Sequence, residues 1–173
     1  MAKLLDICTY PDPILRADNA DVPEITDELR ELVRDMVETM YEKDGVGLAA
    51  PQVGENIRLI TVDPTGPKER RELLVLFNPE ITERGADTVE SSEGCLSVPG
   101  FTGQVDRCET LTVTGLNEKG EEVCINAEGY LAVILQHEID HLEGTLILDY
   151  AGRLKRAMYD KKVRKWQKQG RTD

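Results

Sequence analysis

One pentapeptide restricts this chain more than any other: His137-Glu138-Ile139-Asp140-His141. Positions i and i+4 share a face on a helix, one turn apart. There the two imidazoles can grip one metal ion, and the glutamate beside the first is placed to reach water held at it. These are the only two histidines of the 173 residues. Two histidines scattered at random would give an HExxH roughly once in eight hundred chains of this kind. A helix pair of histidines beside an incidental glutamate is therefore the weaker reading.

With no third histidine, the remaining ligand must be another residue. The pattern extends to HExxHxxG through Gly144, but a metzincin's last His position is Ile147 here. The downstream glutamate of thermolysin-like sites has no counterpart, because Glu143 is too close to His141. Asp160 is a conceivable substitute inside a basic segment. A cysteine thiolate, a strong ligand for zinc or iron(II), is the leading candidate. Cys8 and Cys124 lie in segments that read as arm or core strand, where cysteine is a small hydrophobe. Cys95 sits in the shaped turn Glu93-Gly94-Cys95-Leu96-Ser97-Val98-Pro99-Gly100 and is favoured, with Cys108 left open.

The rest of the sequence gives these residues a setting. The length fits one domain, residues 1–173, ending in a basic helix or tail over 153–173. Apolar spacing at Leu29, Leu32, Val33, Met36, Val37 and Met40 predicts a helix from about Thr26 to Lys43, ended by Gly45 and Gly47. Ile57–Val62 and Leu73–Phe77 read as buried strands, each followed by a proline-containing turn, and Thr110–Leu116 with Glu122–Asn126 as a hairpin. A second helix is expected from Tyr130 to Gly144 and a third from about Gly152. Helix, strands, helix, helix is an α+β order rather than repeated βαβ units.

Charge and composition narrow the surroundings. Residues 153–173 carry nine basic groups against Asp160 and Asp173, a net of +7, while the other 152 residues carry a net of −19. Such a body repels nucleic acid at long range and such a tail attracts it locally, so no specific DNA binding is expected. No run of 18 apolar residues exists, and Met1 to Leu5 lack the features of a signal peptide, so no membrane partner and a cytoplasmic location are expected. Without CxxC spacing or a secretory context, the four cysteines are expected to be reduced.

A third segment, Gly45-Val46-Gly47-Leu48-Ala49-Ala50-Pro51-Gln52, is by itself a plain turn. Together with Glu93–Ser97 and Gln136–Gly144, however, it resembles the GxGLAAPQ, EGCLS and QHExDHLxG motifs of peptide deformylases, in the same order. Pro11-Asp12-Pro13-Ile14-Leu15-Arg16 is similar to the N-terminal segment of that family, and the resemblance covers about residues 4–150. It implies a central HExxH helix cradled by antiparallel sheets. It also implies a hydrolase that removes the formyl group from the N-terminal formyl-methionine of nascent polypeptides in a bacterial cytoplasm.

Position by position, the resemblance implies Cys95, His137 and His141 as metal ligands, Glu138 as the catalytic glutamate, and Gln52 with the Leu96 N–H as holders of the formyl oxygen. Val46 and Gly47 match the strip that receives the substrate backbone, and Tyr130, Val133 and Ile134 the wall of the methionine pocket. The implied cofactor is one divalent metal, iron(II), with zinc, nickel and cobalt as alternatives. The resemblance also implies that a basic C-terminal helix can dock on the ribosome, the alternative being a solvated helix face. Val133 replaces a frequent basic residue, Tyr130 a frequent leucine, and Phe101-Thr102-Gly103 stands where some members place an arginine; these departures bear on substrate preference and leave the metal chemistry intact. The rivals are a metallopeptidase, which would cleave internal peptide bonds, and a closed structural metal site, which would need a fourth protein ligand.

Overall fold

The computed structural model describes residues 1–171. An N-terminal arm with a 3-10 turn at Pro13–Arg16 leads to α1 (Asp27–Glu42), β1 (Gly47–Ala49) and a 3-10 turn at Ala50–Val53. Then come β2 (Leu59–Val62), the one-turn helix α2 (Gly66–Glu69), β3 (Leu74–Arg84), β4 (Thr88–Glu93) and β5 (Gly103–Cys108). The chain continues with β6 (Thr110–Leu116), β7 (Glu122–Glu128), α3 (Gly129–Leu142), a 3-10 turn at Ile147–Tyr150 and α4 (Arg153–Lys168). The strands form a five-stranded antiparallel sheet, order β1-β2-β3-β6-β7, and an antiparallel β4–β5 ribbon. The fold is α+β, as the element order predicts.

The sequence of β2, Leu59-Ile60-Thr61-Val62, explains the layering. All four residues are buried, because successive side chains point to opposite faces and both faces are covered. Leu59 packs with Val33, Met36 and Met40 of α1, while Ile60 and Val62 pack with Ala132, Leu135 and Ile139 of α3. The sheet therefore lies between the two helices. Each large side chain so buried contributes about 1.5–3 kcal/mol, so packing rather than helix propensity holds α3 in place.

The ends of α1 follow local chemistry. Thr26 Oγ1 accepts from the Leu29 N–H at 3.3 Å, with Asp27 and Glu28 at the positive end of the dipole. The helix stops earlier than its glycines suggest. Lys43 is the cap, Asp44 takes a left-handed φ of 55°, and the Gly45 N–H returns to Met40 O at 2.8 Å. Gly47 already opens β1.

Two strand readings need correction. The turn expected at Asn78-Pro79 is a bulge inside β3, where the register with β6 shifts between Phe77 and Glu80. Asn78 takes a φ of 51° and its side chain bonds both backbone polar groups of Val22, so the proline sits where no ladder donor is needed. The β4–β5 ribbon is absent from the sequence reading, and Cys108 closes β5.

In α4, Tyr159 and Val163 are buried against Leu15, Val98, Phe101 and Leu146, while Leu154 and Met158 are exposed. Thr172 and Asp173, at the end of the expected 153–173 segment, lie outside the described residues. No helix among the described residues is long and apolar enough to cross a membrane.

Candidate active site

The site is built around α3, which is apolar on nearly every side and consequently buried. Gly129, at φ 60°, turns the chain into the helix, and its N–H donates to Glu109 O at 3.1 Å. Buried Gln136 sets the rotation of the helix. Its Oε1 accepts from the Cys108 N–H and its Nε2 donates to Cys108 O, both at 2.9 Å. With α3 tied to β5 in this way, His137, Glu138 and His141 face the loop that follows β4.

That loop supplies Cys95. Its Sγ lies 3.3 Å from His141 Nε2, and one ligand atom from each of Cys95, His137 and His141 falls within 4.8 Å of the others. A thiol and two imidazoles converging on one point are a donor set for zinc or iron(II), and the residues fit such an ion. Among the described residues no fourth ligand joins this cluster, and the alternatives from the sequence lie elsewhere. Asp160 accepts from the Tyr10 hydroxyl at 2.7 Å, Glu143 pairs with Arg58 at 2.8 Å, and Cys124 is exposed on β7.

Behind the cluster stands an ion network. His137 Nδ1 lies 2.8 Å from Glu93 Oε1 at the end of β4. Arg107, from β5, grips Glu93 with Nε at 2.9 Å and Nη2 at 2.7 Å, and Asp140 with Nη1 at 2.7 Å. Only 4% of Arg107 and 7% of Glu93 are exposed. Burial raises the Glu93 carboxyl, but Arg107 and His137 override it and hold it down at about 2. An ionised Glu93 accepts the Nδ1 proton and leaves Nε2 of His137 free as a donor to metal, a common arrangement behind a ligating histidine. The place of Glu93 in the sequence, two residues before Cys95, already suggests this orienting role. The sequence reading missed Arg107, Asp140 and Ser97.

Glu138 is almost wholly buried, and its Oε2 has no hydrogen-bond partner among the described residues. Burial, with Glu93 adding to it, raises its pKa to about 7. His141 is lowered, chiefly by burial and then by His137. In His137 burial also lowers the pKa, but Cys95 and Glu93 prevail and raise it. Gly47 gives Glu138 its room: a Cβ on that glycine would collide with Glu138 Oε1. Gln52 is fixed at both ends of its amide. Oε1 accepts from the Ala49 N–H at 2.9 Å, which turns Nε2 toward Ser97 Oγ at 3.1 Å and Cys95 Sγ at 3.6 Å.

These groups open on a cleft of about 590 Å³. Val46, Gly47, Gln52, Cys95, Leu96, Tyr130, Val133, Ile134, His137 and Glu138 all line it, and His141 lies just behind. Val133 and Ile134 are buried in its wall, whereas Tyr130 is half exposed at its rim. Phe101 and Thr102 close another side.

An α+β fold that buries an HExxH helix under an open cleft, with two histidines and a cysteine converging, defines a metallohydrolase. The sequence profile of the polypeptide deformylase family matches residues 4–157, and the chain belongs to that family. It is 46% identical over 161 residues to the peptide deformylase of Pseudoalteromonas translucida (strain TAC 125), covering 93% of this chain and 95% of the relative. Among solved structures, the peptide deformylase from Legionella pneumophila superposes with a TM-score of 0.89 at 40% identity, covering 97% of this chain and 98% of that one. The enzyme from Ehrlichia chaffeensis in complex with actinonin gives 0.87 at 40% identity, covering 95% and 98%. The chain is thus a metal-dependent hydrolase with peptide deformylase activity, which removes the formyl group from the formyl-methionine that opens nascent polypeptides.

Proposed function

We propose that Glu138 moves the protons of deformylation, Gln52 and the Leu96 N–H hold the formyl oxygen, and Cys95, His137 and His141 carry the ion. The observation that carries this reading is the buried Glu138 with its unpartnered Oε2, beside three converging donors. When bound, a divalent ion supplies Lewis acidity to the attacking water and the formyl oxygen. Glu138 accepts a proton from that water as its oxygen adds to the formyl carbon. The carbonyl oxygen gains charge where Gln52 Nε2 and the Leu96 N–H can meet it. The C–N bond then breaks, Glu138 passes its proton to the leaving nitrogen, and formate and a free N-terminus depart. Val46 and Gly47 receive the peptide backbone, and Val133, Ile134 and Tyr130 contain the methionine side chain.

Formate release from a formyl-Met tripeptide tests the oxygen-holding role. Gln52→Leu is expected to lower kcat by about 10²–10³, because one donor to the developing charge is lost. Its metal content should match the native protein. A kcat within about threefold of native would exclude Gln52 from that role.

The ion is assigned as iron(II), which suits a mixed thiolate and imidazole set, with zinc, nickel and cobalt as substitutes. Residues 1–173 are read as one catalytic domain. In support, the Tyr159 hydroxyl of α4 donates to Pro99 O at 2.8 Å and Lys155 donates to Thr102 O, both on the cleft loop. The compartment is read as the cytoplasm of a bacterium. The exposed basic face of α4 is read as a ribosome contact, since phosphate contacts favour clustered Lys and Arg. Deleting residues 153–173 is expected to abolish co-sedimentation with ribosomes at low salt. Unchanged co-sedimentation would remove that partner.

A further inference from the structure

We propose that Tyr150 is a positioning residue for the metal centre, acting through Asp140 and Arg107 on Glu93 and so on His137. The inference rests on the ligand assignment above. Its starting point is a chain of contacts that reaches from the cluster to the surface. His137 Nδ1 meets Glu93 Oε1 at 2.8 Å, Arg107 binds both oxygens of Glu93, and Arg107 Nη1 donates to Asp140 Oδ2 at 2.7 Å. The Tyr150 hydroxyl donates to that same Asp140 oxygen at 2.7 Å. Its ring also covers Arg107, with the guanidinium carbon 5.2 Å from the ring centre.

Asp140 is the weak link of the chain. Its side chain is 26% exposed, whereas Arg107 is 4% exposed, so the carboxylate can turn toward water unless something holds it. Tyr150 supplies the hold from outside, and its own backbone is fixed. It ends the 3-10 turn at Ile147–Tyr150, where Asp149 Oδ2 accepts from the Leu146 N–H at 2.8 Å and from Arg16 at 2.6 Å. Burial and the bond to Asp140 push the Tyr150 hydroxyl up to about 12, so it remains a donor throughout the neutral range. With Asp140 pinned, Arg107 keeps all three of its bonded nitrogens in place. Glu93 is then presented to His137 in one orientation, and Nε2 of His137 stays aimed at the ion. Tyr150, Asp140 and Arg107 do not line the cleft, so Tyr150 has no direct part in substrate binding.

The test uses the full chain loaded with zinc, and reads the rate at which zinc passes to a chromogenic chelator. Tyr150→Phe keeps the ring over Arg107 and removes only the hydroxyl. Partners that hold a metal-bound histidine are typically worth 10–100-fold, and the Tyr150 hydroxyl acts three contacts further out. Zinc is therefore expected to leave Tyr150→Phe about three- to tenfold faster, with KM for a formyl-Met tripeptide and Tm close to native. Asp140→Asn attacks the same link from its other side and is expected to raise the rate at least as much. Zinc loss from Tyr150→Phe within about twofold of native would overturn the proposal. Cys95→Ser runs beside it. If that protein holds zinc as firmly as native, the ligand assignment is what fails, and the role of Tyr150 falls with it.

Discussion

Glu138→Gln protein is expected to fold, hold its metal and lose about 10⁴-fold in formate release. General acid–base catalysis by one group contributes about 10²–10⁴. The upper end is expected because the same carboxyl accepts a proton from water and later delivers one to the leaving nitrogen. Gln fills the same volume beside Gly47, so the cleft keeps its shape. Replacing this buried carboxyl, whose charged form burial disfavours, with a neutral amide should leave Tm unchanged or higher at neutral pH. Metal content and melting temperature measured with kcat separate chemistry from damage. A variant that retains more than about a tenth of native kcat would mean that another group handles the protons.

What the sequence reveals depends on how far apart the cooperating residues lie. The α1 stripe and its Thr26 cap are local patterns, and they reappear as Asp27–Glu42 with the cap bond in place. Likewise the i and i+4 histidines need only one helical turn to meet, and a shortage of ligands leads from them to Cys95. The β4 strand is different. Thr88-Val89-Glu90-Ser91-Ser92-Glu93 has almost no apolar alternation, because most of it lies exposed and it pairs only with β5. With the ribbon unseen, nothing places Arg107 beside Glu93, fourteen positions away. Asp140 is a named position of QHExDHLxG, but nothing in that motif points to Arg107 as its partner. Gln136 looks like a motif residue only, yet its two bonds to Cys108 set the rotation of α3. Such side-chain roles arise from cross-element packing and carry no periodic signal.

The importance of that hidden packing gives a second large effect. Arg107→Met is expected to lower stability by about 3–5 kcal/mol, the range for breaking a buried ion pair by removing one partner. For a chain of this size the corresponding fall in Tm is about 6–20 °C. The cause is the fate of Glu93 and Asp140, which lose their shared cation; Glu93 is the more deeply buried. Met matches the volume of the Arg stem, so the loss is electrostatic and hydrogen-bonding rather than a cavity. Zinc affinity should fall as well, by about 10–100-fold, because Glu93 no longer holds His137 in one orientation. The double variant Arg107→Met/Glu93→Gln distinguishes the two consequences. It removes the stranded charge at Glu93, so Tm is expected to recover in part, but the weaker hydrogen bond to His137 leaves zinc affinity low. If Arg107→Met melts within about 2 °C of the native protein, the guanidinium is not what neutralises these carboxylates. If instead the double variant recovers both Tm and zinc affinity, Glu93 has no orienting part, and only the folding role of the network stands.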